Sequence, residues 1–327
     1  MSAPLEPTDL SHPPAPRVSV VVPSYNHAEF VGATLRSIFR QTLAPAEVLV
    51  IDDGSTDNSV HVIDQSLQDC HLRCELIEQA NRGLTATLNE GLARTKGEYF
   101  AYLGSDDLWL PEFLTERVRL LESRERAVLA YGHAYLIDEA NRIIDCTADW
   151  AAYSDGDVRP MLLQTVAPMS PTVVYRRAAL EPDAWNEEAK LEDYDLYLRL
   201  AARGEFAFDA RVLAAWRRHE SNASWDQAFM LDEQLKAQRQ AAGTLGLSES
   251  ELAKLQTATK FSRAEDFLRV GEKGQALTLM SQNLAGMRSA TAFGRMLLRL
   301  LIPFSFVEER NRRASLAAYR RYGSIEI

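Results

Sequence analysis

Short apolar runs alternate with stretches of helical periodicity through the first third of the chain. Val18 to Val22 is a β-branched apolar run closed by Pro23, and behind it Val31, Leu35, Ile38, Phe39 and Thr42 fall on one helical face. The unit repeats: strands are predicted at Glu47 to Ile51, Leu72 to Glu78 and Glu98 to Leu103, with helices at Asp57 to Leu67 and Leu84 to Arg94 between them. Strands and helices alternating at this length imply parallel βαβ units, hence an α/β fold with a mostly parallel central sheet covered on both faces. Ligands of such sheets gather beyond the carboxyl ends of the strands, which here carry Pro23 to His27, Asp52 to Asp57, Asn81 to Gly83 and Ser105 to Asp107.

Farther on, Pro111 opens a helix, Val128 to Ile144 reads as a strand pair turning near Glu139 to Asn141, and Thr172 to Tyr175 as a strand. Thr147 to Met169 is irregular, with a helical portion near Met161. Glu192 to Arg203 is an amphipathic helix stopped by Gly204, and Val212 to Arg217 a last strand. Almost everything after Ser224 is helical. The expected organisation is therefore a leader over 1–16, an α/β domain over 17–224 and a helical region over 225–327.

Composition narrows the function classes. A net charge of −10 disfavours a nucleic-acid binder, whose affinity comes from cations neutralising phosphates. The average hides an asymmetry: Arg288, Arg295, Arg299, Arg310, Arg312, Arg313, Arg320 and Arg321 face only Glu308, Glu309 and Glu326. Cys70, Cys74 and Cys146 are too few for a disulfide framework. The proline-rich start has no signal-peptide core and no stretch approaches eighteen apolar residues, so a cytoplasmic location is expected, peripheral to the membrane at most, and the sequon at Asn222 carries no information.

Four polar constellations remain. Asp52-Asp53-Gly54-Ser55-Thr56-Asp57 leaves a strand and enters a helix, which suits capping as well as ligand binding. Gly104-Ser105-Asp106-Asp107 also follows a strand, and two adjacent carboxylates repel unless a cation or donor groups compensate them. Lys190-Leu191-Glu192-Asp193-Tyr194-Asp195 opens a helix, where acids are favoured by the dipole. Arg217-Arg218-His219 follows the last strand.

Pro23-Ser24-Tyr25-Asn26, Asp52 to Asp57, Asn81-Arg82-Gly83, Gly97-Glu98-Tyr99 and Ser105-Asp106-Asp107, in this order and spacing, resemble the family 2 inverting glycosyltransferases with the GT-A fold, over Arg17 to Trp225. The resemblance implies that Pro23, Tyr25 and Asn26 line a nucleobase pocket and that Asp53 accepts a hydrogen bond from a pyrimidine imide. It assigns Asp106 to the ribose or sugar, Asp107 to a bridging Mn²⁺ or Mg²⁺, Asp193 to the general base and Glu192 to its support. His219 becomes a metal or diphosphate ligand, and Arg217 or Arg218 a balance for phosphate charge. Thr87-Leu88-Asn89 stands where relatives carry Ala-Arg-Asn, leaving Arg82 as a substitute for that arginine.

The implied reaction is single in-line displacement from a UDP- or dTDP-sugar to a glycan or lipid-linked glycan, with Asp193 taking the proton the acceptor hydroxyl must lose. Phe293, Met296, Leu297, Leu300 and Leu301 recur at helical spacing beside Arg295 and Arg299, as in a helix packed on the catalytic domain, buried in a homodimer, or lying on an anionic inner leaflet. A silent nucleotide-sugar-binding protein is disfavoured by Asp107 and Asp193 together. A sugar nucleotidyltransferase is disfavoured by the lack of a Gly-rich basic loop after the first strand, and a dehydrogenase by the lack of GxGxxG there.

Overall fold

The computed structural model describes residues 18–68, 70–180, 185–219 and 226–327; the expected leader and the expected boundary near Ser224 lie outside them. The first half alternates as its pattern demands: β1 (Val18–Ser24), α1 (Val31–Phe39), β2 (Glu47–Asp52), α2 (Ser59–Gln68), β3 (Cys74–Glu78), α3 (Leu84–Arg94) and β4 (Tyr99–Tyr102). The four strands are parallel, in spatial order β3-β2-β1-β4. Every residue of β1 is buried, as a strand covered on both faces requires. Successive side chains point to opposite faces, so Val20 and Val22 pack with Val31, Leu35 and Ile38 of α1 while Val21 packs with Leu88 and Leu92 of α3. Gly91 permits the second contact: a Cβ there would lie 2.6 Å from a Val21 methyl.

Next come β5 (Leu108–Trp109), α4 (Phe113–Glu122), β6 (Ala127–Ile137), β7 (Ile143–Cys146), α5 (Arg159–Leu162), β8 (Val174–Arg176), α6 (Arg177–Leu180), α7 (Glu192–Ala201) and β9 (Glu205–Arg217). The sheet continues β4-β8-β6-β9-β5, with β7 paired to β6. This half is mixed: β8 is antiparallel to β4 and β6, β5 is antiparallel to β9, and β6 and β9 run parallel. Two features had no visible pattern in sequence. Strand β5 is too short to show a period, and β9 begins seven residues before Val212 because Glu205 to Phe208 pair with β6. A fully buried Arg117 ties α4 to β9 through Asp209, 2.8 Å away.

Five helices follow: α8 (Gln227–Ala241), α9 (Glu249–Arg269), α10 (Lys273–Gln282), α11 (Ala290–Leu301) and α12 (Phe304–Tyr322). Ser248 and Glu251 form a reciprocal capping box that starts α9. Helix α8 belongs to two cores: Ala237 and Ala241 join the cluster under α7, whereas Leu231 and Leu235 pack with Phe261, Phe267, Met280 and Met296. After α12 the chain returns to the sheet. Ile143 donates to the Gly323 carbonyl at 3.0 Å, Ile325 donates to that of Asn141 at 3.0 Å, and Tyr322, Ile325 and Ile327 cover Leu108, Ile137, Ile143 and Ala215. Among the described residues no single helix is long and apolar enough to cross a membrane; α11 and α12 meet at 112°.

Candidate active site

The rim at the carboxyl ends of β1 and β2 is laced by short hydrogen bonds. Asp52 accepts from the Ser55 amide and hydroxyl, at 2.8 and 2.6 Å, and so spends itself on the turn. Asp53 closes the neighbouring loop, accepting from the amides of Arg82 and Gly83 and from Gln79 Nε2, all at 2.8 Å. Gly54 makes this approach possible, since at φ +80° a Cβ would sit 2.9 Å from the Asn81 nitrogen. Asn26, itself at φ +53°, accepts from the Thr56 amide at 2.8 Å. Buried Pro23, exposed Tyr25, Asn26, Asp53 and the Arg82 backbone therefore share one edge. The Arg82 side chain lies 3.8 Å from Glu90, and Leu88 is buried in the core where relatives carry the arginine named above.

Beyond β4 the two adjacent aspartates part company. Asp106 Oδ2 lies 2.8 Å from His219 Nε2, and Asp106 Oδ1 lies 3.9 Å from His27 Nδ1, which itself meets the Ser105 hydroxyl at 2.8 Å. One ligand atom from each of His27, Asp106 and His219 falls within 4.8 Å of the others, a pocket fit for a cation. Asp107 turns the other way, accepting from the Arg217 amide at 2.8 Å. The resemblance assigned the metal to Asp107 and the sugar to Asp106; in the fold Asp106 meets the imidazoles, and one Asp107 oxygen accepts from the Arg217 amide, which fastens the loop to β9. Burial and the neighbouring Asp106 charge push the Asp107 carboxyl well above its ordinary range. Burial also holds His27 below the usual imidazole value, keeping it neutral as a ligand must be.

Arg217 is a brace. Its Nε donates to the Asp106 carbonyl at 2.7 Å, its remaining nitrogens reach the Asp138 carbonyl and Asn141 Oδ1 at 2.7 Å, and its guanidinium stacks 4.8 Å over Phe30. Phe30 in turn stacks on His219, with ring centroids 5.4 Å apart. Arg218, one residue on, lies away from this cluster and lines a separate cleft near Asp145. His27, Phe30 and the bracing role of Arg217 were not assigned from sequence. The one available signal was that His27 stands on the same rim.

Across the rim, Glu192 and Asp193 open α7. Among the described residues no cation lies within ion-pair distance of either, and Asp193 accepts from the Tyr194 amide at 2.6 Å. Burial, then mutual repulsion, raises Glu192 to about 8, and burial raises Asp193 to about 6. Their charge is felt by the buried Tyr102 hydroxyl at the end of β4, the strand that delivers Asp106. The carboxylate pair thus lies within electrostatic reach of Tyr102, four residues before Asp106 in the chain.

Residues 19–181 match the family model described as glycosyl transferase family 2. A glycosyltransferase of Nostoc sp. is 30% identical over 228 residues, covering 67% of this chain and 70% of its own. Chondroitin synthase of Escherichia coli is 27% identical over 254 residues, 76% of this chain and 36% of its own. Among solved structures, Staphylococcus aureus TarS 1–349 in complex with UDP-GlcNAc has a TM-score of 0.61 at 17% identity, covering 95% of this chain and 93% of its own. The mannosyltransferase PcManGT of Pyrobaculum calidifontis, in complex with GDP-Man and Mn²⁺, has a TM-score of 0.61 at 16% identity, covering 94% and 86%. The sheet order, the rim that ends it and the relative from Nostoc lead to one assignment: this chain has the GT-A fold and is a glycosyltransferase of family 2.

Proposed function

We propose that the chain transfers a sugar from a UDP- or dTDP-linked donor to a glycan or lipid-linked glycan hydroxyl, with inversion. Two observations support this reading: the His27–Asp106–His219 cluster, and the raised carboxyls of Glu192 and Asp193, whose charge reaches Tyr102 on the strand that leads to Asp106. Asp53 supports a pyrimidine: an ionised carboxylate offers about four acceptor positions and three are filled, leaving one for an imide N–H. Two imidazoles with one carboxylate favour Mn²⁺ over Mg²⁺, because imidazole is a poor partner for the harder ion. When bound, such an ion neutralises charge on the departing diphosphate. Asp193, held near neutrality, takes the acceptor proton, and Glu192 holds it in place by sharing its buried environment. That reactive acid favours transfer over silent nucleotide-sugar binding.

The test is nucleoside diphosphate release from a panel of UDP-, dTDP- and GDP-sugars, with and without Mn²⁺. Mn²⁺-dependent turnover of a pyrimidine donor is expected; metal-independent turnover, or turnover of GDP-sugars alone, would overturn the reading.

Leu298, Leu301 and Phe306 stand 63%, 80% and 69% exposed at the α11–α12 elbow, among the arginines of the basic tail. Contact of this elbow with an anionic bilayer on the cytoplasmic side fits both properties, each basic residue near the surface contributing about 1 kcal/mol. Co-sedimentation with phosphatidylserine vesicles should fall when all three residues are changed to Ser, and unchanged sedimentation would end the idea. Deleting α12 would be a poorer test, since it also removes Tyr322 from the sheet contact.

A further inference from the structure

Two of the three thiols meet at the β3 edge of the sheet. Cys74 is the first residue of β3, the end strand of the spatial order, and Cys70 lies in the short connection that leads to it from α2. Their sulfurs stand 2.8 Å apart. We propose that Cys70 and Cys74 form an oxidation site, a dithiol that a low-molecular-weight disulfide such as glutathione disulfide converts reversibly to an intrachain bridge while Cys146 stays reduced. The pair sits at the amino end of β3, whereas the rim gathers at the carboxyl ends of the strands, so this chemistry does not depend on the sugar transfer proposed above.

Cysteines can be bridged only where their side chains already point at each other, because the bond is about 2.05 Å long and its geometry is narrow. Here the two sulfurs face one another across a single contact, and closing the bond asks them to approach by less than about 1 Å. Both side chains are half-buried, so a small reagent reaches them from solvent. Cys146 is not a competitor. It is buried on β7, and β2, β1, β4, β8 and β6 lie between it and Cys74. The other use of neighbouring thiols is a metal. A closed zinc site takes four ligands, and among the described residues no third His, Cys, Asp or Glu joins the pair at ligand distance; such a group forms at His27, Asp106 and His219 instead.

The two sulfurs are not equivalent. The Leu72 amide donates to Cys70 Sγ at 3.3 Å, a contact that favours negative charge on that sulfur. Burial, then the hydrogen bond and charge of Cys70, push the Cys74 thiol well up, so Cys74 is the one that keeps its proton. Cys70 therefore attacks first. Its thiolate displaces one half of the external disulfide, RSSR, giving a mixed disulfide Cys70–S–S–R and a departing RS⁻. With Cys70 capped, the charge that opposed ionisation of Cys74 is gone. Cys74 gives up its proton, its sulfur attacks Cys70 Sγ, and the second RS⁻ leaves. The two cysteines lose two electrons and two protons in all, and RSSR becomes two RSH. The bridge closes a loop of only three intervening residues and remains half-exposed, so external thiols can reopen it by the reverse steps.

The test uses the full chain, reduced and freed of reductant, in buffers that span a range of reduced to oxidised glutathione. Thiols are trapped with acid, alkylated after unfolding and located by peptide mass mapping. Cys70 and Cys74 should be lost to alkylation together, with the bridge mapped between them, no glutathione retained and Cys146 still alkylated; dithiothreitol should restore all three thiols. At a given glutathione ratio, bridged over reduced chain should be at least about tenfold higher in the folded protein than in urea, because folding raises the effective concentration of one sulfur at the other. Cys74→Ser should stop at a glutathione adduct on Cys70, the trapped first step. A wild-type chain that keeps all its thiols, that holds glutathione on Cys70 without bridging, or that bridges Cys146 would overturn the proposal. So would equal oxidation of the folded and the urea-unfolded chain. The wild-type arms decide the matter even where the variant is unstable.

Discussion

Two pairs of neighbouring acids, one on each half of the rim, meet opposite fates. At Asp106 and Asp107 the fold supplies partners for both: imidazoles for the first, a backbone amide and Arg217 for the second. At Glu192 and Asp193 it supplies burial and almost nothing else, and both carboxyls rise toward neutrality. Around the first pair, loops from β1, β2 and β4 brace one another. The second pair stores an electrostatic cost, and a carboxylate kept from full solvation is the kind of group that can accept a proton at neutral pH.

The largest expected effect breaks that contrast directly. Asp193→Asn should lower turnover by about 10²- to 10⁴-fold while leaving UDP affinity unchanged, as measured by calorimetry beside a kinetic assay. Normal turnover would take the base away from α7. Next, the first pair should divide by function. Asp106→Ala should weaken Mn²⁺-dependent UDP binding at least about tenfold, a loss in line with damage to a metal site. Asp107→Ala should retain that binding and instead lower stability by about 1–3 kcal/mol in a denaturant titration, because it orphans a buried amide. The reverse pattern would restore Asp107 as the ligand.

The smallest effect sharpens the second pair. With Asp193 raised to about 6, the acid limb of kcat/KM should rise through that pH, since the base works only once deprotonated. Glu192, raised to about 8, is still neutral at that pH, so Glu192→Gln removes no charge there and should leave the limb in place. Stability should move in a linked way. The folded state keeps protons on these acids that the unfolded chain has already released, so their contribution is fully present below the unfolded values and is lost as pH rises through about 6 and about 8. Melting at pH 8 should therefore improve in Glu192→Gln. A limb that moved by about a unit or more would show that Glu192 is ionised beside the base.

The alternating pattern from Val18 to Leu103 was legible because each element carries its own period, and a strand buried on both faces shows as an unbroken apolar run. The rim followed from topology, and with it Asp53 and Asp106 at the ends of strands; Asp193 and His219 were reached only through the family resemblance. The division of labour within a pair was not legible. Adjacent residues leave the backbone in different directions, and only the placement of β9 brings His219 to Asp106 and the Arg217 amide to Asp107. His27 was hidden for the same reason: its partners stand 79 and 192 positions away along the chain. The two-residue β5 had too few positions to show a period, and the return of Tyr322 to Ile327 onto the sheet depends on contacts across the whole length of the chain. The sequence alone determined which residues are apolar, how often they recur and which acids end strands, because these are local properties. Which acid is given a partner and which is left strained was decided by tertiary structure, because pKa and coordination depend on neighbours that only folding brings close.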